Sequence, residues 1–368
     1  MNQANAEYRW ENGIITAGFC DEMPFNQNRF TPIGGDIGEK DSDFEVSEIP
    51  AYLPSGEGEH LYLWIEKMGK STMDATKAIE KAFDVKETDV GCAGKKDVHA
   101  VTRQWISVCT RKDHQTAIEK LNELGWMKIL QVTRHTNKIH MGHLRGNLFK
   151  IRLTGVHASD DDIQSSLQTL TQEGIINYFG KQRFGFNGDN IALGLQTMAG
   201  GTKAPHKLKK LYVSAIQSAI FNLIAARRFV QNGWEVCQGD VMQKINAGCF
   251  VCDDPQTDAE RAKKGEIVVT LPLIGKKFMH GQGVCEQQMQ DAVQDFFEHW
   301  QTKLQNVPIH PEMINKFADG ARRAYWVRPD RLSFQRIDST SVSIEFALPS
   351  GSYATVFLRH LCGDSFTR

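Results

Sequence analysis

Apolar and charged side chains alternate from Asp43 to Pro50, with Phe44, Val46 and Ile49 set among acidic residues and Ser47. This near-period of two predicts a half-buried strand that Pro50 ends. A Ser-Gly-Glu-Gly-Glu turn at 55–59 leads into a second alternating strand, Leu61 to Lys67. The period then lengthens. Ser71 and Asp74 form a capping box, and Ala75, Ala78, Ile79 and Ala82 recur on one helical face. Val101 to Ile106 reads as a strand, His114 to Leu124 as a helix closed by Gly125, and Met127 to Arg134 and Gly146 to Leu153 as two more strands. A helix opens at Asp160, with Ile163, Leu167 and Leu170 as its apolar stripe.

The pattern shifts at Asn177. Residues 177–190 are rich in glycine, amide and aromatic side chains and have no regular period. Val213 to Val230 is apolar on most of its circumference and is followed by Gly233, which predicts the core helix of a second lobe. Glu286 to Leu304 reads as an amphipathic helix carrying Met289, Val293, Phe296, Phe297 and Trp300. Strand signals return at Ser341 to Leu348 and at Tyr353 to Leu358, predicting a hairpin across Pro349-Ser350-Gly351 that completes the first sheet. The simplest arrangement is an α+β chain: a sheet lobe formed by 1–176 and 319–368, with a largely helical lobe, 177–318, inserted. The first 35 residues, polar and Asn-rich with aromatics at Tyr8, Trp10, Phe19, Phe25 and Phe30, read as an irregular lead-in.

Composition narrows the class. With 41% hydrophobic and 24% charged residues over 368 positions, fibrous and disordered chains are excluded and two lobes are expected. The formal net charge of -1 favours no particular partner, so a polyanion surface has to come from local clustering. One such cluster runs from Arg134 to Arg152, with Lys138, His140, His143, Arg145 and Lys150 and no acid; a second comprises Lys203, His206, Lys207, Lys209 and Lys210. Each alone reads as a solvated face. Together, in a neutral protein, they point to a nucleic-acid surface. Eight scattered cysteines include one C-x-x-C, Cys249 to Cys252, with no second pair to complete a zinc site, so no metal is expected. No signal pattern and no apolar run long enough to span a bilayer is present. A cytoplasmic protein with reduced thiols is expected.

The candidate chemistry sits between Gly91 and Trp105. There a glycine-permitted turn, Gly94-Lys95-Lys96-Asp97, presents a carboxylate just ahead of the Val101 strand. A phosphate-binding loop is excluded, because that pattern needs glycine at 89 and Ser or Thr at 96, where Asp89 and Lys96 stand. Taken alone, Gly-Lys-Lys-Asp also fits an ordinary solvated turn.

Four stretches in this order resemble the TruD family of tRNA pseudouridine synthases. They are Asp43-Phe44-x-Val46 leading to Gly56-x-Gly58-x-His60, then Gly94-x-Lys96-Asp97-x-x-Ala100-x-Thr102-x-Gln104. Asn177-Tyr178-Phe179-Gly180-x-Gln182-Arg183-Phe184-Gly185 follows, then Leu348-Pro349-x-Gly351-Ser352-Tyr353-Ala354-Thr355. Gly146-Asn147-x-Phe149 and Ser218-x-x-Phe221-Asn222 add to them, and the match runs from about residue 36 to about residue 360. The resemblance implies a pseudouridine synthase catalytic domain with the TRUD domain inserted. It also implies isomerisation of uridine at position 13 of tRNA, with neither metal nor cofactor; no protein partner is implied, and a monomer is expected. Asp97 would be the catalytic aspartate, Phe149 would stack on the target base, and Phe44, Asn147 and Tyr353 would contact the nucleotide. Lys96 is a candidate supporting residue, and Asn177, Gln182 and Arg183, whose amide and guanidinium groups need partners when buried, read as bracing the junction between the lobes or the rim of the site. Members often carry a basic residue six positions before the Phe of the Asp-Phe pair; here that position is Gly38, with Lys40 close by. Which cation faces Asp97 is therefore left open among Lys95, Lys96, Arg103 and others.

The chemistry suits these residue types. Making pseudouridine requires breaking the N-glycosidic bond, turning the uracil and bonding C5 to the ribose. An ionised carboxylate can add covalently or stabilise a cationic ribose, and then remove the C5 proton. A base taken out of its stack needs an aromatic platform and an amide to read its edge, which Phe149 and Asn147 supply by type. A packed core phenylalanine alternating with Ile151 and Leu153 would produce the same letters. Two other readings stay open. One is a non-catalytic RNA-binding or RNA-folding protein with the same basic surfaces. The other is an aspartate-dependent hydrolase, which needs a partner acid such as Glu48, Glu59 or Glu345.

Overall fold

The structure, a computed structural model, describes residues 25, 29–110, 114–185, 188–245, 247–304, 308–363 and 366. Most of the lead-in read from the first 35 residues therefore lies outside the described residues.

The first stretch alternates strands and helices. Strand β1 (Gly34–Ile37) precedes β2 (Phe44–Pro50) and β3 (His60–Met68), and helix α1 (Thr72–Phe83) follows. Ser71 caps that helix: its hydroxyl accepts from the Asp74 N–H while the Asp74 carboxylate accepts from the Ser71 N–H at 2.9 Å. Next come β4 (Val90–Cys92), β5 (Val101–Cys109), α2 (Gln115–Asn122), β6 (Met127–His135), β7 (Leu144–Val156) and α3 (Asp160–Glu173). Helices α1 and α2 cover one face of the sheet. Leu61, Leu63 and Ile65 of β3 and Ile106 and Val108 of β5 pack there against Ala75, Ile79, Phe83, Ala117 and Leu121. Their every-second-residue spacing on the strands and three-to-four spacing on the helices is the alternation read from the sequence.

Residues 174–327 form their own unit, to which 355–360 also belong; 29–173, 328–354 and 361 onward form the other. The former contains β8 (Ile175–Ile176), α4 (Asp189–Met198) and α5 (His206–Asn232), followed by β9 (Val241–Lys244), β10 (Cys249–Val251) and α6 (Pro255–Lys263). After these come β11 (Ile267–Leu273), α7 (Gly283–Lys303), β12 (Ala321–Ala324) and β13 (Trp326–Val327). Helix α5 is buried almost continuously from Val213 to Phe229, as its lack of a polar face predicts. Among the described residues a four-stranded antiparallel sheet, β10-β9-β11-β12, accompanies these helices, where the sequence reading has a largely helical lobe. The three- and four-residue strands β9, β10 and β12 hold too few repeats for a period of two to register, and the seven-residue β11 is a nearly continuous apolar run with no alternation. Beside it, the buried Arg228 guanidinium donates to both oxygens of Asp240 at 2.9 and 2.7 Å.

The chain returns to the large sheet through β14 (Asp330–Asp338) and β15 (Ser341–Pro349), and ends its described helices with α8 (Ala354–Cys362). The nine-stranded sheet runs β14-β15-β7-β2-β5-β3-β6, with β1 also on β7 and β4 on β5. Among the described residues only the β2–β5 pairing is parallel. Here the sequence reading is corrected: the hairpin partner of β15 is β14, and Tyr353–Leu358 leads into and forms part of a helix. Ala354, Val356, Phe357, Leu358 and Leu361 are all buried; the polar Thr355 and Arg359, four apart, carry the helical period, and the aromatic and β-branched residues up to Leu358 imitated a strand before that repeat was complete. None of the described helices is long and apolar enough to cross a membrane.

Candidate active site

Register places the chemically distinctive side chains on one face of the large sheet. Lys67 pairs with Thr102, Val46 with both Thr102 and Phe149, and Phe149 with Phe346. The row Lys67–Thr102–Val46–Phe149–Phe346 thus crosses five strands. In the neighbouring row Asn147 lies between Glu48 of β2 and Leu348 of β15, and Ile65 faces Gln104. Residues directly opposite in a ladder point to the same side, so Glu48, Gln104, Asn147 and Lys67 share the face that α1 covers.

The loop between β4 and β5 is pinned onto this face. The Lys96 N–H donates to the Thr72 hydroxyl at 2.9 Å; that hydroxyl donates to Gln104 Oε1 at 3.0 Å, and Gln104 Nε2 donates back to the Gly94 carbonyl at 3.2 Å. Lys67 Nζ donates to the carbonyl of Asp97 at 2.9 Å and to that of Lys70 at 2.7 Å. Beneath the loop Lys96 Nζ pairs with Glu48 Oε2 at 3.0 Å, their side chains only 2% and 1% exposed. While the loop's main chain is anchored by buried groups, the Asp97 side chain projects into solvent beside exposed Val98 and His99. The result is a carboxylate whose backbone is held and whose oxygens are accessible. Replacing Thr72 by Val should leave the Lys96 N–H and Gln104 Oε1 unpaired and cost about 1–3 kcal/mol, read as a lower urea midpoint at unchanged slope.

Burial sets the charges here. It pushes the Glu48 carboxyl above the usual range, with Lys96 opposing, and pulls the Lys67 ammonium down to about 8, with Asp97 opposing. Of the cations adjacent in sequence, Lys96 is committed to Glu48, and Arg103 points to the opposite face, paired with Glu45 at 2.8 Å and Glu66 at 2.7 Å.

The residues expected from the resemblance fall into two groups. Asp97, Lys96, Phe44, Asn147, Phe149 and Tyr353 belong to the large-sheet unit. Phe149 is only 5% exposed, stacked on Phe346 at 5.2 Å with the Phe44 ring edge-on at 6.1 Å, so in the free protein it is chiefly a wall of the core. Asn147 is half-buried, and its Oδ1 is enclosed with no hydrogen-bond partner among the described residues. Tyr353 lies half-buried just ahead of α8. Gln182 and Arg183 lie in the other unit: Arg183 donates to Ser218 Oγ of α5 at 3.1 Å, and Gln182 meets Thr355 Oγ1 at 3.4 Å. Both hold that unit together locally.

Lys67, Thr72 and Gln104 were missed as site residues. Their signal was present, since an inward-facing Lys or Gln in an alternating strand breaks the pattern and needs a partner. Glu48, one of the acids considered as a partner for hydrolysis, is paired with Lys96, and Glu345, one residue before Phe346 on β15, points to the other side of the sheet. Away from this face, Cys237, Asp240 and Cys285 bring potential ligand atoms within 4.8 Å of one another, but Asp240 already carries Arg228.

Comparison with known proteins places the chain. The family model described as tRNA pseudouridine synthase D (TruD) matches residues 25–204 and 196–361. A tRNA pseudouridine synthase D of Thermus thermophilus is 34% identical over 344 residues, covering 93% of this chain and 92% of that protein. Another, from Anaeromyxobacter dehalogenans, is 34% identical over 357 residues, covering 92% and 96%. The crystal structure of a TruD protein from Methanosarcina mazei shares the fold with a TM-score of 0.70 at 20% identity, covering 92% of this chain and 96% of that one.

Proposed function

The chain belongs to the TruD family of tRNA pseudouridine synthases, and from that premise we infer that it isomerises uridine to pseudouridine in tRNA, at position 13, with Asp97 as the reacting carboxylate. The observation that carries the assignment of Asp97 is its setting: an exposed carboxylate on a loop held to buried groups through the Gly94 and Asp97 carbonyls, the Lys96 N–H and the Lys96 side chain. Pre-organisation of this kind holds a nucleophile in one geometry at no cost during reaction.

Ionised Asp97 assists departure of N1 from C1′, the freed uracil turns, C5 bonds to C1′, and the carboxylate takes the C5 proton, which returns to N1 through solvent. Atoms and charge balance, and no electron donor or acceptor is called on. Asn147 Oδ1, enclosed without a partner, accepts from the N3–H of the turned-out base, which satisfies both groups. Half-buried Phe44 and Tyr353 offer ring surface to the base, and Phe149 backs Phe44 from the core. The protein works as a monomer in the cytoplasm.

A tRNA transcript tritiated at C5 of its uridines tests this reading. Release is expected from a transcript with uridine at position 13 and not from one with cytidine there. Release from both would sink the position, and binding without release from either would sink the isomerase in favour of a non-catalytic RNA binder. Basic residues from Arg134 to Arg152 and from Lys203 to Lys210 supply phosphate contacts. If about five phosphates are neutralised, tRNA affinity should fall roughly 10²-fold between about 50 and 200 mM salt.

A further inference from the structure

Among the described residues, Lys67 is a buried ammonium without an ion-pair partner. It is 1% exposed, and two of its three protons go to main-chain carbonyls, those of Lys70 and Asp97, at 2.7 and 2.9 Å. Among the described residues no carboxylate lies within ion-pair distance of it, whereas neighbouring Lys96 has Glu48. A buried unpaired cation is costly, and a methionine would fill the same space without that penalty. The two carbonyl bonds pin the loop, and the charge itself has a further use if it acts on a group nearby.

The charged groups facing it identify what that is. From the β4–β5 loop come Asp97 and Lys96, from α1 comes Asp74, and Thr102 of β5, directly opposite, is neutral. Lys96 is neutralised by Glu48, and Asp74 is exposed and tied to Ser71. Asp97 remains, attached through its own carbonyl. Position 38 offers no alternative, because a Cβ there would collide with the Asp43 carboxylate.

We propose that Lys67 is a positioning residue of the isomerisation, fixing the Asp97 main chain through its carbonyl and keeping the Asp97 carboxylate ionised when bound RNA strips water from it. An RNA-covered carboxylate facing no cation would tend to take up a proton and lose its nucleophilicity. Lys67 supplies that cation from beneath, where RNA cannot displace it. The inference rests on the reading of Asp97 as the reacting group.

The test has a kinetic arm and one that needs no turnover. In single-turnover assays Lys67→Met should lower kcat roughly 10- to 100-fold with KM for tRNA within about twofold. Burial brings the Lys67 ammonium to about 8, so wild-type kcat should fall as pH rises through that value, and Lys67→Arg, charged throughout, should carry this limb to higher pH. A Lys67→Met kcat within twofold of wild type, or an alkaline limb unmoved in Lys67→Arg, would overturn the proposal. In the second arm, the Lys67 ammonium is titrated by NMR in wild type and in Asp97→Asn. Removing the facing charge should lower its midpoint by about half a unit or more. An unchanged midpoint would show that the two groups do not interact, whether or not the protein turns over tRNA. Absence of turnover in wild type would instead defeat the isomerase reading and leave this second arm to decide on Lys67.

Discussion

Asp97→Asn is expected to lower pseudouridine formation by at least about 10³-fold while leaving tRNA affinity within about twofold of wild type. The amide is isosteric with the carboxylate but can neither attack carbon nor accept the C5 proton. Because the Asp97 side chain is exposed and the loop is held through its main chain and through Lys96, the fold should be indifferent to the change. Tritium release under single-turnover conditions, filter binding and a thermal melt separate these effects. Turnover at the wild-type rate would remove Asp97 from the chemistry.

Severing the Glu48–Lys96 pair should have the largest effect on stability. Either Glu48→Gln or Lys96→Met leaves its partner buried without a counter-charge, which costs about 3–5 kcal/mol. The double variant, with no charge left to strand, should recover much of that loss, and urea denaturation of the three variants measures the coupling. The pH dependence has a definite sign. Burial raises the Glu48 carboxyl in the folded protein above its unfolded value. Its contribution to stability is therefore full below the unfolded value and is lost as pH rises through the folded one. In Lys96→Met the opposing cation is gone and the folded value rises further. The deficit of that variant should shrink on going from pH 7 to pH 5, and a deficit that grew on acidification would contradict the assignment. Because Lys96 anchors the loop next to Asp97, both single variants should also lose activity.

Some of this site was legible in the sequence and some was not, for reasons that differ residue by residue. Asp97 stood out because a glycine-bearing turn before an alternating strand is a local signal, and its four-segment context is specific. Phe149 and Ile151 share a spacing with core residues, and indeed Phe149 is packed between Phe346 and Phe44. Lys67 was read as the polar end of a strand, although it sits on the inward side in line with Leu61, Leu63 and Ile65. Tyr353–Leu358 was misread because those six residues stop short of Arg359, which completes the four-residue repeat begun at Thr355 that marks the helix.

Taken alone, the sequence determined the elements whose signals are short-range: strands β2, β3 and β5, the Ser71-capped helix α1, the apolar helix α5, and the turn that presents Asp97. Alternation, capping and turn propensity act over a few residues, so they are written into consecutive letters. Only the tertiary structure decided what those elements share. Lys67 and Asp97 are 30 residues apart and Lys96 and Glu48 are 48 apart, and each pair meets because β2, β5 and β3 lie side by side in one register. Hydrogen bonds between distant strands set that register, and no local period encodes which strand will be the neighbour.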